Sequence, residues 1–539
     1  MLAGAGPGDA PAAGGEARRA LGSAGRLLLA ALLLANLAFH FALLIRPLDT
    51  LDDLAIPDDA YLSLTLARNI ARGLGPLYGL APTNGFQPLY VFLMVPVYAW
   101  VPNDPGLPVH IALGMLALFD TAALVLLFRL AARLSAWRAT PFLVALAWLL
   151  HPYAILTALN ALETSIAFFF LVALFLALDR LRDAPAALRR IPVPFGIGLL
   201  LGVAALARID SLLAAPVIAG VFLARLRPAA TSWPSLLKAC AAAALGALLA
   251  MLPWLAYSWH WTHDLLPVSG RALRYLTLSS VDHRPTLEGF YGPLIARAAG
   301  VVARKNALTL GLLLPLGALL LLLRVSGREA LRRLTRLLPA LAFGALLFAA
   351  YTGVVFGPWH FARYLFPLTL AVLLVFAALV DLCGCALPQG PQRARFAAAV
   401  ALLVVAGSAA QPSFRRLLAP RFEGTWGYRR IGLWAREHFP PGAVVGGSQT
   451  GALGYFADRL VVVNLDGVVN RECYDAMRGG RMLDYVRGAG VRDLVWQDDI
   501  ELLARESSRT RPATLLRVGR IGGFETWGAK WYLYRVEAP

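Results

Sequence analysis

Apolar residues gather in unbroken runs along this chain, the plainest being Leu27–Ile45, Leu199–Ala207 and Thr309–Leu323. A bilayer core about 30 Å thick takes roughly 20 apolar residues per helical crossing. Lipid offers no partner to an unpaired backbone group, so runs of this purity predict membrane-spanning helices. Spans are expected at about Leu27–Ile45, His110–Leu130, Pro141–Leu156, Thr164–Leu178, Phe195–Ala207, Leu212–Ala224, Leu236–Tyr257, Leu308–Leu323, Leu338–Val355, Tyr364–Leu382 and Phe396–Ala409, about eleven in all. Leu89–Val101, about 13 residues, is too short to cross upright and is expected to lie at the interface or to re-enter. From about Gln411 to Pro539 the apolar runs shorten. Ile431–His438 has the pattern of a helix, and Ala443–Gly446, Leu460–Asn464, Asp493–Gln497 and Trp531–Val536 that of buried strands. This tail reads as a small α/β domain. No internal repeat is visible, which counts against an inverted-repeat transporter.

Composition agrees: 58% of the 539 residues are hydrophobic, where soluble domains carry about 45–50%. The formal charge of +18 comes almost wholly from arginine. In a soluble domain that would suggest nucleic acid; here the arginines sit at span ends and report topology instead. Arg18, Arg19 and Arg26 precede the first span and place the N-terminus in the cytoplasm. Arg129, Arg133 and Arg138, then Arg180 to Arg190, Arg225 and Arg227, Arg324 to Arg336, and Arg393 and Arg395 fall on alternate loops thereafter. The chain is therefore expected to be a multi-pass membrane protein with its N-terminus in the cytoplasm and its C-terminal domain outside. The expected organisation is a disordered cytoplasmic tail over 1–25, a membrane domain over 26–410 with a first outside loop at 46–109, and an extracytoplasmic domain over 411–539. The first apolar run is too long for a signal peptide and reads as a retained anchor. Of four cysteines, only Cys473 lies in the tail, so no disulfide framework is expected there.

The first outside loop holds the densest chemistry. Asp49, Asp52, Asp53, Asp58 and Asp59 fall within eleven residues, and Leu62, Leu66 and Ile70 then share one helical face before Gly73 and Gly75. This predicts a short surface helix with acids at its N-terminus and glycine at its end. One aspartate suffices to complement a helix dipole. A second beside it adds repulsion that a cap does not need, and paired acids at a membrane face can act as a general base or hold a divalent cation.

Further ionisable groups fall at the same face. Glu163 lies in the turn between the third and fourth spans, and Arg208 and Asp210 where the fifth and sixth meet. Charges at membrane depth are costly and are functional candidates by default. Arg208 and Asp210, two apart, would not face each other on a helix, so each is expected to need another partner. Asp120 is mid-span and is expected to pair with a neighbouring helix. His360 and Arg363 end the tenth span outside, where an arginine can hold a lipid phosphate or snorkel to headgroups. The loop Ser258–Lys305, with His260, His263, Arg271, Arg274 and Arg304, suits anionic headgroups of membrane lipids. In the tail, Gly446 to Gly454 is glycine-rich without the lysine of a phosphate loop and reads as tight backbone turns.

Several of these segments resemble GT-C-type bacterial membrane glycosyltransferases. They are Asp58-Asp59-Ala60-Tyr61, Ala67-Arg68-Asn69, Pro82-Thr83-Asn84-Gly85-Phe86-Gln87-Pro88-Leu89, Leu162-Glu163-Thr164, Ala207-Arg208-Ile209-Asp210, Pro253-Trp254, Arg363-Tyr364, Gly451 to Phe456 and Val463 to Asn470. The resemblance extends to protein O-mannosyltransferases, the lipid A aminoarabinose transferase, rhizobial core galacturonosyltransferases and a mycobacterial arabinofuranosyltransferase. It implies an all-α polytopic GT-C membrane domain, a polyprenyl-phosphate sugar as donor, and an envelope glycan, lipid or protein as acceptor. It implies that Asp58 or Asp59 activates the acceptor hydroxyl, that Glu163 is a second acid of the site, and that Arg363, Arg208 and Arg271 hold the donor phosphate. Asn84, Gln87, His360 and Asp210 are further substrate-site candidates. Relatives often carry a lysine soon after the position of Gly270; here Arg271 and Arg274 stand in that region. No cofactor is required, though a divalent cation has room among the acids. The rivals are a transporter or lipid flippase, which would place charged pairs at the bilayer midplane, and a non-catalytic scaffold for envelope assembly.

Overall fold

The computed structural model describes residues 21–226, 233–279, 285–419, 427–497, 515–526 and 529–536. Most of the expected N-terminal tail lies outside them. Among the described residues seven helices are long and apolar enough to cross a membrane: Ser23–Leu44, Leu107–Leu134, Ile209–Leu226, Trp233–Thr262, Gly327–Gly353, Leu368–Ala386 and Pro391–Ala410. Two bent pairs, Thr140–Leu149 with Pro152–Ala158 (57°) and Leu287–Lys305 with Ala307–Leu322 (82°), bring the number to nine if each is one span. Pro152 has no N–H to continue the first helix, which explains the first bend. The fourth and fifth expected spans fall on Thr164–Arg180 and Pro192–Ala207, helices of 17 and 16 residues. The expected count of about eleven thus exceeds what length and composition support.

The arginine-rich loops expected on the inner side meet at one end of the bundle. Arg133 pairs with Asp179 at 2.5 Å and Asp183 at 2.9 Å, and Arg182 pairs with Asp179 at 3.2 Å. Arg333 pairs with Asp381, which also accepts the Trp137 amide at 2.6 Å. Within the bundle Asp120 accepts from Asn36 at 3.0 Å and lies 3.7 Å from His40, the expected structural pairing.

The loop 46–109 folds into helices Leu48–Leu54, Asp58–Ala71 and Pro88–Trp100, with a small hairpin of β1 (Leu77–Tyr78) and β2 (Ala81–Pro82). The tail contributes β3 (Val444–Gly447), β4 (Val461–Asn464), β5 (Asp493–Gln497), β6 (Leu515–Thr526) and β7 (Ala529–Val536). They form one sheet in the order β4-β3-β5-β7-β6, the first three parallel and the last two antiparallel. Helix Gly451–Phe456 links β3 to β4, and Arg471–Arg478 and Met482–Gly488 link β4 to β5. Sequence patterning found four of these strands to within a residue or two; β6, interrupted by glycines, escaped it.

Asp58–Ala71 is not the surface helix expected. Residues Ala60 through Arg68 are all buried, because the tail packs onto the face that an isolated loop would leave to solvent. One apolar core runs from Tyr61, Leu64 and Tyr90 of the loop into Ile431, Ala452, Phe456 and Trp531 of the tail. The long loop Ser258–Lys305 is likewise largely helical, as Val268–Ser279 and Gly292–Lys305.

Two glycines set how closely loop and tail approach. A side chain at Gly85 would place Cβ 2.1 Å from the Val468 carbonyl oxygen, and one at Gly451 would place it 2.0 Å from that of Asp58. The glycine-rich stretch in the tail therefore serves close backbone approach. The chain does turn there, at Ser448 and Gln449 between β3 and helix Gly451–Phe456, but none of the glycines of the stretch has a positive φ. Gly451→Ala should loosen the tail and lower stability by about 1–3 kcal/mol. Faster proteolysis of the tail, with the membrane bundle intact, is the expected result.

Candidate active site

The five aspartates of the first loop divide by what they face. Asp49 pairs with Arg429 at 2.5 Å. Asp52 accepts from the Tyr61 hydroxyl at 2.6 Å and the Arg429 amide at 2.8 Å, and Asp53 accepts from the Gly427 amide at 2.6 Å. Asp58, 3% exposed, accepts from the amides of Gly451 at 2.7 Å and Ala452 at 2.9 Å. It caps a helix of the tail rather than its own. Four of the five thus bind the tail to the loop, and each takes a backbone or side-chain donor that the tail would otherwise leave unmet.

Asp59 faces the other way. Its Oδ2 lies 2.8 Å from Nη2 of Arg363, in the short helix Phe361–Tyr364, and its side chain is 28% exposed. Burial works to raise this carboxyl, but the charge of Arg363, joined by that of His360 only where acid protonates the ring, outweighs it and holds Asp59 below the usual carboxylate range. Arg363 keeps its proton more firmly than usual: burial opposes the charge, and Asp59 more than compensates. Its Nε is buried and has no hydrogen-bond partner. His360 is half-buried, and burial pushes its pKa down to about 4, so at neutral pH it is an uncharged donor or acceptor.

Tyr364 joins this pair to a second cluster. The guanidinium of Arg363 lies 5.1 Å from the Tyr364 ring centre and that of Arg208 5.4 Å, and the ring stacks on Tyr351 at 4.7 Å. Arg208 pairs with Glu163 at 3.1 Å and with Asp210 at 2.5 Å, and the Tyr351 hydroxyl donates to Asp210 at 2.7 Å. Contrary to the expectation from spacing, Arg208 and Asp210 do face each other. Arg208 is extended (φ −153°, ψ 123°) between helix Pro192–Ala207 and the 3-10 turn Ile209–Leu213, so helical spacing does not apply. Two carboxylates already balance the charge of Arg208.

The remaining candidates separate from this network. Asn84, 3% exposed, donates to Ser258 Oγ at 3.1 Å and to the carbonyls of Asp264 and Leu266 at 3.2 Å, and accepts from the Val268 amide at 3.1 Å. It fastens the first loop to the start of the next outside segment. Gln87, half-buried, precedes helix Pro88–Trp100 without capping it. Arg271 pairs with Asp264, which Arg471 also approaches at 3.2 Å. Among the described residues no group of three or more His, Cys, Asp or Glu converges as a bound metal would need.

Asp466, which follows β4 in an Asp-Gly turn, was not singled out from sequence. It accepts from the Val468 amide at 2.9 Å, and burial, with the charges of Asp59 and Asp58 adding, raises its pKa to about 7. Its only sequence signal was membership of the Val463 to Asn470 segment. Tyr351 was equally hidden, because an aromatic at a span end is unremarkable by composition.

Burial also raises Asp58 from 3.8 to about 7, against the two amide hydrogen bonds. The folded protein therefore holds this proton where the unfolded chain has lost it. The contribution to stability is full below about pH 4 and declines as pH rises toward 7. His360 acts oppositely over part of this range, so the comparison that isolates Asp58 is with Asp58→Asn. Thermal unfolding from pH 4.5 to 7.5 should show the wild type losing stability relative to the variant. Parallel curves would contradict this.

With the geometry in view, comparison with known proteins defines the fold. Residues 420–534 match the model of a domain of unknown function, DUF8728. No curated protein matches the chain by sequence. Among solved structures the chain is similar to ArnT from Cupriavidus metallidurans bound to undecaprenyl phosphate, at 12% identity and TM-score 0.57 over 94% of this chain and 97% of that one. The apo form of ArnT aligns at 12% identity and TM-score 0.58 over 95% and 98%. The archaeal oligosaccharyltransferase AglB from Archaeoglobus fulgidus, in complex with an inhibitory peptide and a dolichol-phosphate, aligns at 13% identity and TM-score 0.52 over 88% and 69%. The chain has the GT-C fold of these membrane glycosyltransferases and is a multi-pass membrane protein.

Proposed function

We propose that this protein is an inverting glycosyltransferase. It moves a sugar from a polyprenyl-phosphate donor to a hydroxyl of an envelope glycan, lipid or protein on the extracytoplasmic face of the inner membrane. The observation that carries this reading is the Asp59–Arg363 pair at 2.8 Å, partly open and backed by the Tyr364–Arg208 cluster. The undecaprenyl phosphate bound by ArnT and the dolichol-phosphate bound by AglB support a lipid phosphate as the donor group.

In this mechanism Arg363 has two partners in succession. Without donor it neutralises Asp59. A donor phosphate arriving at Arg363, whose Nε has no protein partner, draws the guanidinium toward itself. Asp59 then loses its stabilising cation and becomes a stronger base when a donor is in place. It accepts the proton of the acceptor hydroxyl as that oxygen bonds to the anomeric carbon. The bond from that carbon to the phosphate oxygen breaks, and the polyprenyl phosphate leaves with the electron pair, its charge stabilised by Arg363. A single displacement inverts the anomeric configuration. Asp58, its oxygens held by two amides, fixes the start of the helix that presents Asp59. Arg208 positions Tyr364 and the acids Glu163 and Asp210.

The direct test incubates the purified protein with a panel of polyprenyl-phosphate sugars and reads release of free polyprenyl phosphate. Consumption of one donor supports the proposal. A panel left intact, together with unchanged envelope glycans in cells lacking the gene, would reject it.

A further inference from the structure

A charged cavity lies between the first loop and the tail. Its volume is about 160 Å³, and Arg68, Arg72, Arg436 and Arg459 line it, against two acids, Asp104 and Asp458. Arg68, on the same helix as Asp59, is 7% exposed. It donates Nη1 to the Tyr455 carbonyl at 2.8 Å and Nη2 to that of Gly454 at 3.1 Å. Its Nε is buried with no hydrogen-bond partner.

The other three arginines are exposed, and among the described residues their side chains make no hydrogen bond or ion pair. One oxygen of Asp104 is taken by the amides of Gly106 at 2.7 Å and Leu107 at 3.0 Å. Four guanidinium groups against two carboxylates leave the space with an excess of positive charge, which an anion would neutralise. Guanidinium favours planar, bidentate partners such as phosphate and carboxylate. The cavity has room for an anionic group and is open to solvent on one side, where the rest of a carrier can lie. It opens beside residues 102–105, just before the span Leu107–Leu134, at the end of the bundle where Asp59 lies.

We infer that this cavity is a binding site for a phosphate or carboxylate group carried on a saccharide or a lipid headgroup, separate from the Asp59–Arg363 site. Arg68 forms its floor, and Arg72, Arg436 and Arg459 its rim. The inference does not depend on transferase activity, and its test needs no turnover.

The experiment titrates inorganic phosphate and glucuronate, separately, into full-length protein in detergent by calorimetry. Wild type is compared with the rim variant R72A/R436A/R459A and with Arg363→Met. Among the described residues the rim side chains make no hydrogen bond or ion pair, so the variant should unfold at the wild-type temperature. Saturable binding of at least one probe, weakened tenfold or more in the rim variant and retained in Arg363→Met, is the expected result. No saturable binding, or binding lost only in Arg363→Met, overturns the inference. Repeating the titration in nanodiscs of neutral lipid and of phosphatidylglycerol identifies the carrier. Competition by phosphatidylglycerol identifies a membrane headgroup, and undiminished binding a saccharide.

Discussion

Asp59→Asn should abolish measurable sugar transfer while leaving the protein folded and inserted. Removing a positioned general base costs about 10²–10⁴-fold in rate. Asparagine keeps the size of the side chain and can still accept from Arg363, so the loss is chemical rather than structural. The matched control is Asp58→Asn, one residue away, which alters a buried cap without touching Arg363. If both variants transfer sugar at the wild-type rate, neither acid is the base. If Asp58→Asn alone is inactive with its tail still docked, the roles assigned to the two neighbours are reversed. Donor binding gives a second readout, because Asp59→Asn frees Arg363 and should bind polyprenyl phosphate no more weakly than wild type.

The second large effect is on stability. Arg208 is 3% exposed and holds two carboxylates, of which Glu163 is buried and Asp210 largely so. Arg208→Met leaves both without their cation, and breaking a buried ion pair from one side costs about 3–5 kcal/mol. The variant should melt well below wild type in detergent or fail to accumulate. Glu163→Gln and Asp210→Asn added to Arg208→Met remove the stranded charges and should restore much of the lost stability. That recovery, without recovery of transfer, is what a positioning role requires. A single variant that melts with wild type would show that the cluster is already neutral.

Much of this was legible in the chain. The helical bundle, the short helix Pro88–Trp100 and most of the tail strands follow from apolar run length and strand patterning, and charges at span ends singled out residues 58, 59, 163, 208 and 363. Partnership was not legible. Sequence spacing put Asp58 and Asp59 together, yet they face different bodies of the protein, because successive helical positions differ by about 100° and the tail covers one of those directions. Arg208 and Asp210 looked incompatible because the chain was assumed helical there, and the extended residue between two helical segments has no hydrophobic signature. The expected span count is met only to nine among the described residues by length and composition, because Thr164–Arg180 and Pro192–Ala207 are short helices. Asp466 and the arginine cavity depend on contacts across hundreds of residues, which periodicity cannot report.

The aspartates that fasten the tail have a consequence for anyone who would cut the molecule in two. Sever the chain near residue 410, and Asp52, Asp53 and Asp58 become bare acids on the stump of the bundle, while the amides of Gly427, Arg429, Gly451 and Ala452 are orphaned on the released piece. Neither fragment carries a replacement for what the other supplied. The water-facing part is a keystone rather than a pendant, and its removal would be felt first by the helix that begins at residue 58.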